Sequence, residues 1–253
     1  MTGILVLLTN DDGIDAHGLK ALEGAFALHP DVEVWTVAPD SERSTCSHGM
    51  TLHKPIFANE VGERRMALSG LTGDCVYFGM FNCLPRRPDV VISGINRGAN
   101  LGGDVVYSGT VAGAREAVIR GVHGVAASLV NGDDFEPAAR SVVEIGLQVA
   151  GLPVEIPRLL NLNYPSGDFE GPRFACLGQR SYPEEVERRE VPISGRNYYW
   201  LGGPPVRDQL LKGTDGWLID RGVACATLLS TDQTDRAAMG EGILPFPGAD
   251  EEG

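Results

Sequence analysis

Two adjacent carboxylates, Asp11 and Asp12, follow the apolar run Ile4-Leu5-Val6-Leu7-Leu8 in the segment Thr9-Asn10-Asp11-Asp12-Gly13. Vicinal ionised aspartates repel each other unless a cation lies beside them, which suits a hard, oxygen-liganded metal such as Mg²⁺ or Mn²⁺. Asn, Asp and Gly also build turns, so on its own the segment reads equally as turn chemistry. Two further segments carry oxygen donors, Arg43-Ser44 and the glycine- and asparagine-rich stretch from Ser93 to Asp104 that contains Asn96 and Asn100. Carboxylate, hydroxyl and amide oxygens form the donor set that Mg²⁺ or Mn²⁺ prefers. Ser108-Gly109-Thr110 opens a helical pattern (Val111, Ala114, Val118), and the free N–H groups of a helix start can seat an anion. A metal and an anion seat together point to phosphate chemistry.

Strand ends position these residues. Ile4 to Leu8 is continuously apolar, as a strand covered on both faces should be, and Leu19, Leu22 and Phe26 recur at helical spacing before a strand over Val32 to Val37. The polar turn Ala38 to Ser44 then falls on the same carboxyl edge as Asp11 and Asp12, where open α/β sheets bind ligands. Extended pieces are expected over Thr51 to Ser69, a helix over Thr72 to Asn82, and a strand over Asp89 to Ile92 that runs into a long loop. A strand from Gly124 to Val130, a helix from Pro137 to Ala150 and a strand from Arg158 to Leu162 continue the alternation. It predicts an α/β fold with a mostly parallel, doubly wound sheet.

Between Phe174 and Leu201 two extended stretches flank Ile193-Ser194-Gly195-Arg196-Asn197, the pattern of a projecting β-hairpin whose Tyr198, Tyr199 and Trp200 serve either oligomer contacts or core packing. Thr214 is read as capping a short helix, with a last strand over Val223 to Leu229. The chain divides into a catalytic core over 1–173, a hairpin and oligomerisation region over 174–239 whose late helix and strand return to the core, and a disordered tail over 240–253.

With 34 acidic against 21 basic side chains, the net charge of -13 disfavours duplex nucleic acid as a partner. The start carries no basic leader and its apolar run is too short to span a membrane, so the sequence reads as cytoplasmic without a membrane partner. Cys46, Cys75, Cys83, Cys176 and Cys225 form no CxxC pair and read as reduced, mostly buried thiols. The histidines show no HxxxH or HxH grouping, which disfavours a zinc hydrolase; His17 and His48 lie nearest the site in sequence.

The ordered blocks Thr9 to Gly13, Val37 to Asp40 with Arg43-Ser44, Ser93 to Gly102, Asp104 to Ala112, Asn161 to Pro165 and Gly213 to Asp215 resemble the SurE family of 5′/3′-nucleotidases (survival protein E) over nearly the whole length. The resemblance implies a divalent-cation-dependent phosphomonoesterase that hydrolyses nucleoside monophosphates, with short polyphosphate as a further substrate of some members. It also implies a Rossmann-like three-layer sandwich, one Mg²⁺ or Mn²⁺ per subunit on Asp11, Asp12, Ser44 and Asn96, and a homodimer or homotetramer in which the hairpin and C-terminal segment exchange contacts. Asp11 and Asp12 are then the catalytic candidates. Asn100, Ser108, Gly109 and Thr110 are the candidates for holding a nucleoside monophosphate or other small phosphate ester. The alternative is a non-catalytic nucleotide-binding regulatory protein of the same fold. A Rossmann dehydrogenase or methyltransferase lacks its cue, since the first strand ends in Asn-Asp-Asp-Gly rather than Gly-x-Gly-x-x-Gly.

Overall fold

The apolar runs become strands of one nine-stranded sheet in a computed structural model that describes residues 3–182, 184–201 and 207–235. The predicted tail, 240–253, lies outside the described residues. In chain order the first half comprises β1 (Ile4–Thr9), α1 (His17–Phe26), β2 (Val32–Pro39), β3 (Ala58–Gly62), β4 (Arg65–Leu68), α2 (Thr72–Phe78), β5 (Val90–Arg97) and α3 (Gly109–Ile119). It continues with β6 (His123–Leu129), α4 (Glu136–Ala150), β7 (Leu159–Tyr164), β8 (Glu170–Phe174), β9 (Gln179–Ser181), β10 (Val186–Glu190), β11 (Asn197–Leu201), β12 (Arg207–Gln209), α5 (Asp215–Ile219) and β13 (Val223–Leu229).

The sheet order is β3-β4-β2-β1-β5-β6-β7-β13-β8. Strands β4, β2, β1, β5, β6 and β7 run parallel, while β3 and β13 are antiparallel to their neighbours β4 and β7. The chain leaves β1 toward β2 on one side and returns through β5 on the other, so the switch point of this doubly wound sheet lies between β1 and β5. Alternation along β1 supplies both layers of the core: Val6 and Leu8 pack with α1 and α4, whereas Leu7 joins Val76 and Met80 on the opposite face. Each fully buried leucine of this kind stabilises the fold by about 1.5–3 kcal/mol.

The three-layer α/β prediction holds, with two differences at the site. β5 runs on to Arg97 rather than ending at Ile92, through an irregularity between Ser93 and Asn96. Gly94 sits there at φ +143°, and an added Cβ would lie 2.4 Å from the Ala127 carbonyl oxygen, so only glycine lets β5 pass this close to β6. The expected loop is further shortened by a 3₁₀ turn over Gly102–Val106. Elsewhere, the helix expected over Thr72 to Asn82 is α2 followed by a wider π turn over Gly79–Cys83.

The hairpin is present: β10 pairs antiparallel with β11 in a two-stranded sheet of their own, and all their residues are exposed. Exposure of Tyr198, Tyr199 and Trp200 excludes packing in this chain's own core. A second small sheet joins β9 to β12; together these four strands are called the arm below. Thr214 does not cap α5 with its side chain, because its hydroxyl donates to the Leu211 carbonyl at 2.7 Å. Only Cys75 and Cys225 of the five thiols are buried, and Cys46 and Cys176 are exposed. Among the described residues no helix is long and apolar enough to cross a membrane.

Candidate metal and phosphate site

Asn10, not the aspartates, makes the turn after β1. Its buried side chain donates to the Gly13 carbonyl at 2.9 Å and accepts from the Gly13 N–H at 3.2 Å, which closes the loop without using Asp11 or Asp12. The two carboxylates are thereby left for other work. Asp11 is buried, and its Oδ1 accepts the Thr110 hydroxyl proton at 2.5 Å. Asp12 is half-buried, and its Oδ2 accepts the Arg97 N–H at 3.1 Å.

Burial pushes the Asp11 carboxyl up to about 6 despite the Thr110 hydrogen bond, and the neighbouring Asp12 pushes in the same direction. Burial likewise raises Asp12, against the hydrogen bond from Arg97, with Glu42 adding to the rise. Two arginines stand close by, yet both are engaged elsewhere: Arg43 pairs with Asp40 at 3.0 Å and Arg97 with Asp133 at 2.6 Å. Among the described residues neither Asp11 nor Asp12 forms an ion pair, so adjacent carboxylates share a partly dehydrated edge where only the more distant charge of Arg97 favours the ionised form of Asp12. No group of three or more His, Cys, Asp or Glu side chains that could hold a metal occurs among the described residues. A cation at this edge would therefore draw its remaining donors from hydroxyl and amide oxygens.

Ser44 and Asn96 supply such donors. The Arg43 N–H donates to the Asp11 carbonyl at 2.7 Å, which pins the second loop against the first. Ser44 is exposed, and its hydroxyl donates to Glu42 at 2.8 Å, so its lone pairs are the part it can offer to a ligand. Asn96 sits just past the β5 irregularity, and its amide nitrogen donates to the Gly98 carbonyl at 2.9 Å, which leaves Oδ1 as its ligating atom. Asp11, Asn96 and Ser108 line one cleft of about 880 Å³. Asp12 lines a neighbouring, acidic cleft of about 560 Å³, and Ser44 and Arg97 line both. The four predicted ligands thus straddle the ridge between two clefts.

The predicted phosphate residues divide. Ser108 caps α3, its hydroxyl accepting the Val111 N–H at 3.0 Å, and it lines the larger cleft. Gly109 and Thr110 do not line it, because the start of α3 is turned toward Asp11. Thr110 is fully buried, and both its hydroxyl and its main-chain N–H hold the Asp11 carboxylate. A Cβ added to Gly109 would lie 2.7 Å from Asp11 Oδ2, so glycine is what permits that approach. Both residues thus lie against the metal candidate Asp11. Asn100 reaches the cleft but is nearly buried, with its side chain donating to Ser128 Oγ at 2.8 Å.

Sequence reasoning assigned no role to the residues that hold the loop over Gly98 to Asp104. Asn163 accepts the Asn100 N–H at 2.9 Å, and both Asn161 and Asn163 donate to the Asn100 carbonyl. Their signal was present: two asparagines in the otherwise apolar Leu159-Leu160-Asn161-Leu162-Asn163 must find partners once buried. Asp215 is buried and accepts from the N–H groups of Gly102 at 2.8 Å and Gly178 at 2.7 Å, joining this loop to the start of the arm. His48 packs against α3 through Glu116 at 2.9 Å, away from the reactive edge, and His17 is exposed at the start of α1.

A family model described as survival protein SurE matches residues 6–184. A 5′-nucleotidase SurE from Anaeromyxobacter sp. (strain K) is 48% identical over 236 residues, covering 90% of this chain and 91% of the relative. One from Geotalea daltonii is 41% identical over 238 residues, covering 91% and 94%. Among solved structures, the SurE protein from Aquifex aeolicus superposes with a TM-score of 0.80 at 32% identity, covering 94% of this chain and 97% of that one.

Proposed function

The chain belongs to the SurE family, and from that premise we propose that it is a 5′-nucleotidase, a phosphoric monoester hydrolase that releases phosphate from nucleoside monophosphates with the help of one Mg²⁺ or Mn²⁺ per subunit. The observation that supports the metal dependence is the Asp11–Asp12 couple at the β1–β5 switch point, which forms no ion pair among the described residues and whose nearby arginines pair with other carboxylates. Asp11, Asp12, the Ser44 hydroxyl and Asn96 Oδ1 would hold the cation, which when bound supplies Lewis-acid polarisation of the phosphoryl oxygen.

The protein's own groups set the rest of the reaction. Thr110 fixes the orientation of the Asp11 carboxylate through Oδ1. A carboxylate that is buried and already held by a hydrogen bond is poorly free to attack, which favours direct attack by water over a phosphoryl group on Asp11. We assign Asp12 as the acceptor of the water's proton because its carboxylate is the more accessible of the pair and Arg97 engages only its Oδ2. Ser108, at the capped start of α3, meets the phosphate from the other side of the cleft. A volume of about 880 Å³ lies within the range of small-molecule sites and has room for a nucleotide.

We assign short polyphosphate as a second substrate class and the exposed β10–β11 hairpin as a subunit contact. The outward display of Ile193 and Trp200 supports the second assignment. The test of the main reading is release of inorganic phosphate from adenosine 5′-monophosphate and from p-nitrophenyl phosphate, with Mg²⁺ or Mn²⁺ and with EDTA. Turnover that EDTA leaves intact would refute metal dependence. In a single turnover in ¹⁸O-water, label in an enzyme carboxylate rather than only in phosphate would refute direct attack.

A further inference from the structure

The cleft that holds Asp11, Asn96 and Ser108 at one end is built differently at the other, where Tyr107, Tyr182 and Leu201 line it. All three side chains are exposed, by 66, 47 and 81% respectively, although large apolar surfaces are normally covered. Tyr107 follows the 3₁₀ turn after β5, whereas Tyr182 and Leu201 come from the arm.

Asp104 fixes this end to the phosphate end. Its carbonyl accepts the N–H groups of Tyr107 at 3.0 Å and Ser108 at 3.1 Å. Its carboxylate accepts the Tyr182 hydroxyl proton at 2.7 Å and pairs with Arg180. One residue thus sets the cap of α3, one tyrosine through the main chain and the other through the side chain. The Tyr182 side chain and the Tyr107 main chain are held before any ligand arrives, so less ordering remains to oppose binding.

Resting on the nucleotidase reading above, we infer that Tyr107 and Tyr182, with Leu201 beside them, form the wall that receives the nucleobase, and that Asp104 is the positioning residue holding this wall at a fixed reach from the phosphate seat. The occupant follows from continuity: an ester whose phosphate lies at Ser108 extends its other half along the same cleft. Flat apolar rings accept the π-face that every base has, so the wall reads the presence of a base more than its hydrogen-bonding edge.

The test is steady-state kinetics with adenosine 5′-monophosphate and with ribose 5-phosphate, in Mg²⁺ or Mn²⁺, on the full chain and on the variants Tyr182→Ala, Tyr182→Phe and Tyr107→Ala. The quantity read is the ratio of kcat/KM for the nucleotide to that for the base-free ester. Base–aromatic stacking predicts a fall of about tenfold in this ratio for each alanine variant, carried mainly by KM. Tyr182→Phe keeps the ring but loses the bond to Asp104, so its ratio should fall part of the way toward that of Tyr182→Ala, and a ratio equal to that of the unaltered protein would overturn the positioning role of Asp104. An unchanged ratio in both alanine variants overturns the base wall and leaves the phosphatase reading intact. Failure of the unaltered protein to release phosphate from either ester overturns both.

Discussion

At the β1–β5 edge, Asp11, Thr110, Asn100 and Asn163 are buried and joined by short hydrogen bonds between strands and helix starts. Across the same cleft, every residue of β10 and β11 is exposed and the strands pair chiefly with each other. The first region spends its packing on holding charged atoms in place, which a reactive centre requires. The second spends little on the core and presents side chains to whatever enters or docks. Chemistry and selectivity are thus assigned to parts of unequal stability, joined at Asp215 and Asp104.

The largest expected effect tests the first region. Asp11→Asn should lower metal-dependent kcat/KM by about a thousandfold while the circular dichroism spectrum stays native. A variant with near-normal turnover would move the reactive centre away from this edge. The joint comes next. Asp215→Ala leaves the Gly102 and Gly178 N–H groups without their acceptor and should cost about 3 kcal/mol in urea denaturation. A loss under about 1 kcal/mol would mean that loop and arm are independent.

A pH measurement sharpens the same contrast in protein kept metal-free with EDTA. Asp11 is pushed up to about 6 in the fold from an ordinary 3.8. A carboxyl raised on folding stabilises most when protonated, so its contribution is complete below the unfolded value and is lost as pH rises through about 6. Wild type should therefore lose roughly 2–3 kcal/mol relative to Asp11→Asn between pH 4 and 7. Parallel stability profiles for the two proteins would contradict the strain assigned to this edge. The smallest effect belongs to the hairpin: Ile193→Ser, at a residue 99% exposed, should leave subunit stability within about 0.5 kcal/mol and weaken self-association in analytical ultracentrifugation. A large stability loss would show that the arm is not the passive partner described.

The alternating apolar runs announced β1, β2, β5, β6 and β7 with their intervening helices, because burial on both faces leaves a local mark. Asp11 and Asp12 were legible as candidates for the same reason, as polar residues placed just past such a strand, and Asn96 as one placed just past the apolar run of β5. The continuation of β5 to Arg97 was hidden because glycine ordinarily signals a turn, and here Gly94 serves a close passage between strands. That Thr110 holds Asp11 was hidden as well: the two lie 99 residues apart, and no periodicity encodes that pairing. The same holds for Gly102 with Asp215 and for Tyr182 with Asp104, separated by 113 and 78 residues. Local pattern located the edge; long-range hydrogen bonds decided which of its residues face the cleft.

The pairing of Thr9 with Ser93 across the switch point also sets where the chain can tolerate a change of length. One extra residue inside β1 or β5 would turn every later side chain of that strand to the opposite face of the sheet, carrying Asp11 or Asn96 away from its companions. The turn between β10 and β11 carries no such register to the reactive edge. Insertions and deletions should therefore collect in the hairpin, and a length-altering lesion in the first dozen residues should abolish activity even where the chain still folds.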